Sequence, residues 1–287
     1  MLERINRLAG KQTATAAQLS RSYEWLDRQM DKYVAQLKSD ARNSKHDPTL
    51  SESDYRYLYV SALAGHKVTP TIEYLLGLMQ KPRRDLTIYG RANSAVILAL
   101  FGRGEQAAKY LQSARESTVY KPGMGRYYDT PLAQLSWADY RIPTQVATIE
   151  ALSLITPADT ATIAEMQQWL LQEKRTTAWT TPINSVNAVY ALLMANGQAL
   201  TTSVSPAVIY ADGKRLTTSR STPLVGTATV RCEGTAKTIT VQKTGSHTSW
   251  GAVYAQALVP VAEAGSAAAG LSVKRELIAP DGPLKVG

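Results

Sequence analysis

Two stretches decide how this chain reads: Trp137-Ala-Asp-Tyr-Arg-Ile-Pro-Thr-Gln-Val-Ala-Thr-Ile-Glu-Ala-Leu152 and Trp179-Thr-Thr-Pro-Ile-Asn-Ser-Val-Asn-Ala-Val-Tyr-Ala-Leu192. Each places a tryptophan in a loop, then a proline, then a helix of small and apolar residues ending in Ala-Leu. The copies lie about 40 residues apart, the period of stacked helix pairs. Upstream of them the apolar positions keep helical spacing. Leu19, Tyr23, Leu26, Met30, Tyr33 and Leu37 recur every three or four residues, one face of a long helix over 15–39. Ser51-Glu-Ser-Asp54 reads as a capped helix start, with Tyr55, Leu58, Tyr59, Ala62 and Leu63 as the apolar face behind it. Pro70 falls at the first turn of another helix, 71–79. Residues 88–101 are apolar enough to be buried on most sides, and 105–113 and 158–172 read as further helices. Residues 118–136, rich in Pro and Gly, read as irregular. Helices in this number, paired by short loops, predict an α/α toroid or solenoid whose inner helices are 88–101, 142–155 and 183–195.

Beyond Gly197 the period changes to two. Residues 207–216 read as strand, Asp-Gly turn, strand. Thr227-Ala-Thr-Val-Arg-Cys232 and Thr238-Ile-Thr-Val-Gln-Lys243 alternate around Glu233-Gly234, and 253–258 and 271–278 read as further strands. The fold class that follows is α+β and multidomain: an incomplete α/α toroid over 1–200, a β-sandwich over 201–270, and over 271–287 the first strand of a further domain, where the sequence stops as if truncated.

Composition narrows the function. The chain has 287 residues, is 44 % hydrophobic and 19 % charged, and carries a formal charge of +9, the values of a globular protein with real cores. Lys81-Pro-Arg83-Arg84 is the tightest basic cluster and stands without a nucleic-acid motif, so no nucleic-acid partner is expected. No apolar run of about 18 residues predicts a membrane span. The single cysteine, Cys232, reads as a half-buried strand residue and excludes an internal disulfide. His46, His66 and His247 fall in separate, solvated loop settings without ligand spacing, so neither a metal nor another cofactor is expected. No nucleophile elbow and no phosphate-binding glycine loop is present. Asp129, Asp139 and Glu150 form the one trio that invites acid–base chemistry of the kind inverting glycosidases perform, and nothing in the sequence makes them converge. Trp137, Tyr140 and Trp179 are the candidate interface residues at the mouth of the helix array; the competing reading makes them plugs between helix ends.

Three segments resemble the bacterial α2-macroglobulin-like proteins. They are Trp137 to Leu152; Glu165-Met-Gln-Gln-Trp169-Leu-Leu-Gln-Glu-Lys174 leading into Trp179 to Leu193; and Ser249-Trp250-Gly-Ala-Val-Tyr-Ala-Gln256 followed by Leu271-Ser-Val-Lys-Arg275. The resemblance spans residues 50–287 and is most specific over 169–193 and 250–275. It implies that the helical part is a thioester-domain-like toroid joined to a β domain, and that 271–287 opens a C-terminal macroglobulin-type domain. It further implies a peptidase inhibitor that traps proteases by conformational change, in the periplasm or at the outer cell surface. Its partners would be proteases, through the full-length parent, and neighbouring macroglobulin-type domains. Many members carry Cys-x-Glu-Gln, whose side chains form an internal thioester. That motif is absent here, and Cys232-Glu-Gly lies in the wrong domain, so no thioester residue and no catalytic role is expected: either the motif lies upstream of Met1, or the protein belongs to the branch that lacks it. The family's Gly/Trp/Phe-rich loop after the first helix is replaced by Gly10-Lys-Gln-Thr-Ala-Thr15, as though shortened or spliced. The alternatives to the trap are a cell-surface adhesion or scaffold module on the same fold, and a carbohydrate-active enzyme on an α/α toroid.

Overall fold

In the computed structural model the apolar run after Thr87 is the helix around which the helical region is built. The structure describes residues 2–10, 16–43, 48–80, 86–129, 141–176, 179, 181–194, 207–222, 227–243, 249–256, 258, 260, 278–279 and 282–283. The architecture is mixed α+β and predominantly helical, with small antiparallel sheets. The chain divides into two compact units, Met1–Thr248 and Ser249–Gly287.

The first unit contains α1 (Leu2–Ala9), α2 (Ala16–Asn43), α3 (Glu52–Leu63), α4 (Pro70–Gln80), α5 (Ile88–Leu100) and α6 (Gly104–Arg115). A hairpin of β1 (Thr118–Lys121) and β2 (Gly125–Tyr128) follows, then α7 (Arg141–Ile155), α8 (Thr160–Thr176) and α9 (Pro182–Met194). Helix starts are chemically marked. Ser51 and Asp54 exchange the reciprocal bonds of a capping box at α3, and the Thr87 hydroxyl accepts from Gly90 N–H at α5. Pro70 opens α4, where its missing N–H costs no helical bond.

Helix α5 is shared by two apolar cores. Ala92, Ala95 and Val96 join Val146, Ile149, Leu152, Met166, Leu170 and Ala188 in one; Ile97 and Leu98 join Leu58, Ile72, Leu75, Leu76 and Met79 in the other. Full burial of each large side chain contributes about 2 kcal/mol, so a helix apolar on both sides holds both cores in one body. Along the array α5 packs against α3, α6 and α7, and α7 packs against α8 and α9. Helix α1 touches both α3 and α9.

Three expectations shift in detail. In α3 the buried side chains are Asp54, Tyr57, Leu58 and Ser61, while Tyr55, Tyr59, Ala62 and Leu63 are half-buried, because the capping aspartate itself turns inward. In α2, Val34 is buried and Tyr33 exposed. Residues 118–128 are not irregular: they form a hairpin in which Lys121 pairs with Gly125 around a three-residue loop. The Pro and Gly of that loop outweighed the strand-forming Thr-Val-Tyr in the sequence reading.

The β region begins with β3 (Val208–Ala211), β4 (Lys214–Arg215), β5 (Thr218–Thr222), β6 (Thr227–Val230) and β7 (Ile239–Gln242). Asp212 and Gly213, with φ of 47° and 80°, make the expected turn between β3 and β4. The strands around Glu233-Gly234 do not pair with each other. Instead β6 pairs with β5, and β7 pairs with β3. The Asp212 carboxylate accepts from the backbone N–H groups of Lys237 and Thr238, which brings the β7 segment back to the first turn. Cys232 is exposed and lies outside the strands, since β6 ends at Val230.

The second unit contains the short pair β8 (Ile278–Ala279) and β9 (Gly282–Pro283). Residues 253–256 form no strand there and are exposed, and 271–277 lie outside the described residues. No helix among the described residues is long and apolar enough to cross a membrane.

Candidate functional site

Helix α7 is buried almost all round, yet Thr144, Gln145, Thr148 and Glu150 interrupt its apolar sequence. Each of these polar groups therefore needs a partner inside the protein, and among the described residues the Thr144 hydroxyl and Gln145 Oε1 have none. The Gln145 amide donates to Arg126 O and Met166 O, tying β2 and α8 to α7. Thr148 shares a 2.7 Å bond with the Tyr128 hydroxyl. Glu150, only 1 % exposed, is met by residues of α1, α3 and α9.

The cluster has consistent polarity. The Tyr59 hydroxyl donates to the Glu150 carboxylate at 2.9 Å, and Tyr190 donates to its Oε1 at 3.0 Å. The Arg4 guanidinium sits 3.6 Å from Oε2, donates through Nε to Tyr59 at 2.9 Å, and donates to the Asn187 amide oxygen. Its central carbon, Cζ, also lies over two aromatic rings, 4.4 Å from the centre of Tyr190 and 5.2 Å from that of Tyr59. Burial pushes the Glu150 carboxyl above its ordinary range, against the pull of Arg4, the two phenols and Arg7. Burial alone would lower the Arg4 guanidinium, but Tyr59 and Glu150 outweigh it and raise it. Burial and then the adjacent carboxylate raise both Tyr59 and Tyr190.

This arrangement fixes helices rather than exposing a reactive group. Both Glu150 oxygens are engaged and the side chain is out of reach of solvent, whereas an acid–base catalyst must contact the proton it moves. Asp129 stands apart from it, largely exposed on the hairpin and 3.7 Å from Lys121. Among the described residues the two carboxylates share no partner, and Asp139 lies outside those residues.

Of the candidate interface residues, Trp137 and Tyr140 lie outside the described residues. Trp179 is half-buried between α8 and α9 and packs against the larger core, with Lys174 5.7 Å from its ring centre. Its indole N–H is buried without a partner among the described residues. His66 is half-buried: it packs edge-on against Tyr23, with its Nδ1 4.0 Å from Asp27. His46 and His247 lie outside the described residues, and no metal-binding group of side chains occurs among those described.

The sequence reading found Glu150 but not its partners. Tyr59 stands in the apolar face of its helix and Tyr190 in the inner helix 183–195, and nothing in the sequence marks Arg4. The available signal was Glu150 itself, since a carboxylate inside an apolar helix requires a buried cation or donors.

Tyr23, Tyr57, Tyr59, Tyr128 and Tyr190 are all raised, in each case first by burial. In the unfolded chain they ionise near pH about 10. Their contribution to stability is therefore complete below that pH and is lost as pH rises above it. An alkaline absorbance titration is expected to show these phenols ionising together, in the same step in which the helical circular dichroism is lost. Ionisation of all the tyrosines near pH about 10 with the helical signal intact would contradict this.

No protein-family model matches the chain, and no curated protein matches it.

Proposed function

We propose that the chain is a non-catalytic conformational module of a bacterial α2-macroglobulin-like peptidase inhibitor, working without thioester chemistry in the periplasm or at the outer cell surface. On this reading residues 1–200 are an incomplete α/α toroid, 201–270 a β-sandwich, and 271–287 the beginning of the next domain. The observation that carries the reading is the position of α1, in contact with both α3 and α9. A row of paired helices becomes a toroid when its first and last members are linked, and α1 supplies such a link through Arg4. The side chains gathered there form a buried ion cluster joining α1, α3, α7 and α9, which suits a rigid transmitting body more than a substrate site. Without Cys-x-Glu-Gln, this chain supplies no thioester of its own to that trap.

The test uses the full-length protein that carries this module. Protease is added in limiting amount, and cleavage of a large protein substrate is compared with that of a small peptide. Selective loss of large-substrate cleavage, with peptide cleavage kept, is the expected outcome of a steric cage. Equal cleavage of both substrates, with the inhibitor cut and nothing retained, would overturn the trap and favour an adhesion or scaffold module.

A further inference from the structure

Helix α1 has eight residues, fewer than the about 12 to 15 an isolated helix needs in water. Its order must come from what it docks on. Glu3 Oε1 accepts from the Tyr23 hydroxyl at 2.7 Å, and every part of the Arg4 head group has its own partner. Nε faces Tyr59, one terminal nitrogen faces Asn187, the other faces Glu150, and Cζ lies 4.4 Å from the centre of the Tyr190 ring. These partners come from α3, α7 and α9, none of them a sequence neighbour of Arg4. A planar fork with three separate donor directions beside an aromatic ring selects a guanidinium over an ammonium, a point charge that cannot reach the three partners at once.

We propose that Tyr59, Glu150, Asn187 and Tyr190 form a guanidinium-binding socket, with Arg4 of α1 as its removable occupant in the same chain. The site is built by the helices beneath α1 and takes arginine side chains or small guanidinium compounds as a ligand class. It follows from the geometry of these residues alone and does not depend on the protease-trap reading.

Chemical rescue in the full chain tests it. Arg4→Ala empties the socket and lowers the thermal midpoint. Ethylguanidinium at about 20 mM, far below denaturing concentrations, is expected to restore most of the lost midpoint, while leaving the unsubstituted protein unchanged. Ethylammonium at the same concentration is expected to bind at least about tenfold more weakly. In Arg4→Ala/Glu150→Gln the preference for ethylguanidinium should disappear. If Arg4→Ala does not fold at the working temperature, refolding yield in the two salts gives the same comparison. Recovery with ethylguanidinium alone supports the socket. Equal recovery with both salts, or recovery with neither, overturns it, as does undiminished rescue in the double variant.

Discussion

Replacing Gly125 with alanine is expected to destabilise the helical unit by about 4 kcal/mol, combining left-handed backbone strain with overpacking. Gly125 has φ of 89°, and a Cβ there would sit 2.2 Å from Glu165 O and 3.1 Å from both Trp169 N and Gln168 Cβ. The nearest obstacle is helix backbone, which cannot swing aside as a side chain could. The hairpin is meanwhile held against α8 by Gln168 and Gln172, which both donate to Gly123 O, and by the 2.8 Å Arg126–Glu165 ion pair. Moving away would break those contacts and the stacking of Tyr127 on Trp169. Gly123→Ala is the control. Its φ is 80°, but a Cβ meets no atom within 4 Å, so only the conformational cost of about 1 kcal/mol remains. Thermal unfolding and tryptophan fluorescence of the two variants separate the cases. A Gly125→Ala protein as stable as Gly123→Ala would mean that the hairpin does not lie on α8.

Arg4→Ala is expected to cost about 3 kcal/mol at neutral pH, the lower end for breaking a buried pair, because the Arg4 side chain keeps 19 % of its exposure. The loss comes from the partner left behind more than from the missing attraction. Tyr59 and Tyr190 still donate to Glu150, but its buried charge has lost its nearest cation. Without Arg4, burial holds the folded-state carboxyl pKa above the unfolded value, so stability is retained at low pH and lost as pH rises through the folded pKa. The penalty of Arg4→Ala should thus be greater at pH about 8 than at pH about 5. Arg4→Ala/Glu150→Gln should lose less than Arg4→Ala alone at the higher pH, since an amide accepts from the tyrosines without a charge to bury. Denaturant unfolding at both pH values checks this. A penalty independent of pH, with no recovery in the double variant, would show that Glu150 carries no buried charge.

The features legible in the sequence were those that depend on near neighbours. The capping box at Ser51, the proline at the start of α4, the buried run of α5 and the Asp212-Gly213 turn are written in residues a few positions apart. Strand pairing was less legible. Asp-Gly marks a turn locally, but the pairing of β7 with β3 depends on Asp212 meeting Lys237 and Thr238, which no local pattern records. The hairpin over 118–128 was missed for a related reason: a Pro-Gly loop looks irregular until α8 is present for the strands to lie on.

By itself, then, the sequence determined the change from helical to strand periodicity and the positions of the helices after α1, and it set a carboxylate, Glu150, within an apolar helix. Periodicity and caps act over one or two turns of chain, and a carboxylate in an apolar helix incurs a desolvation cost wherever that helix packs. Only the tertiary structure decided which groups offset that cost. Arg4, Tyr59, Asn187 and Tyr190 lie on three different helices, and each alone reads as a surface charge, a core aromatic or a helical amide. Their meeting depends on the docking of α1 between α3 and α9, a long-range contact that no periodicity encodes.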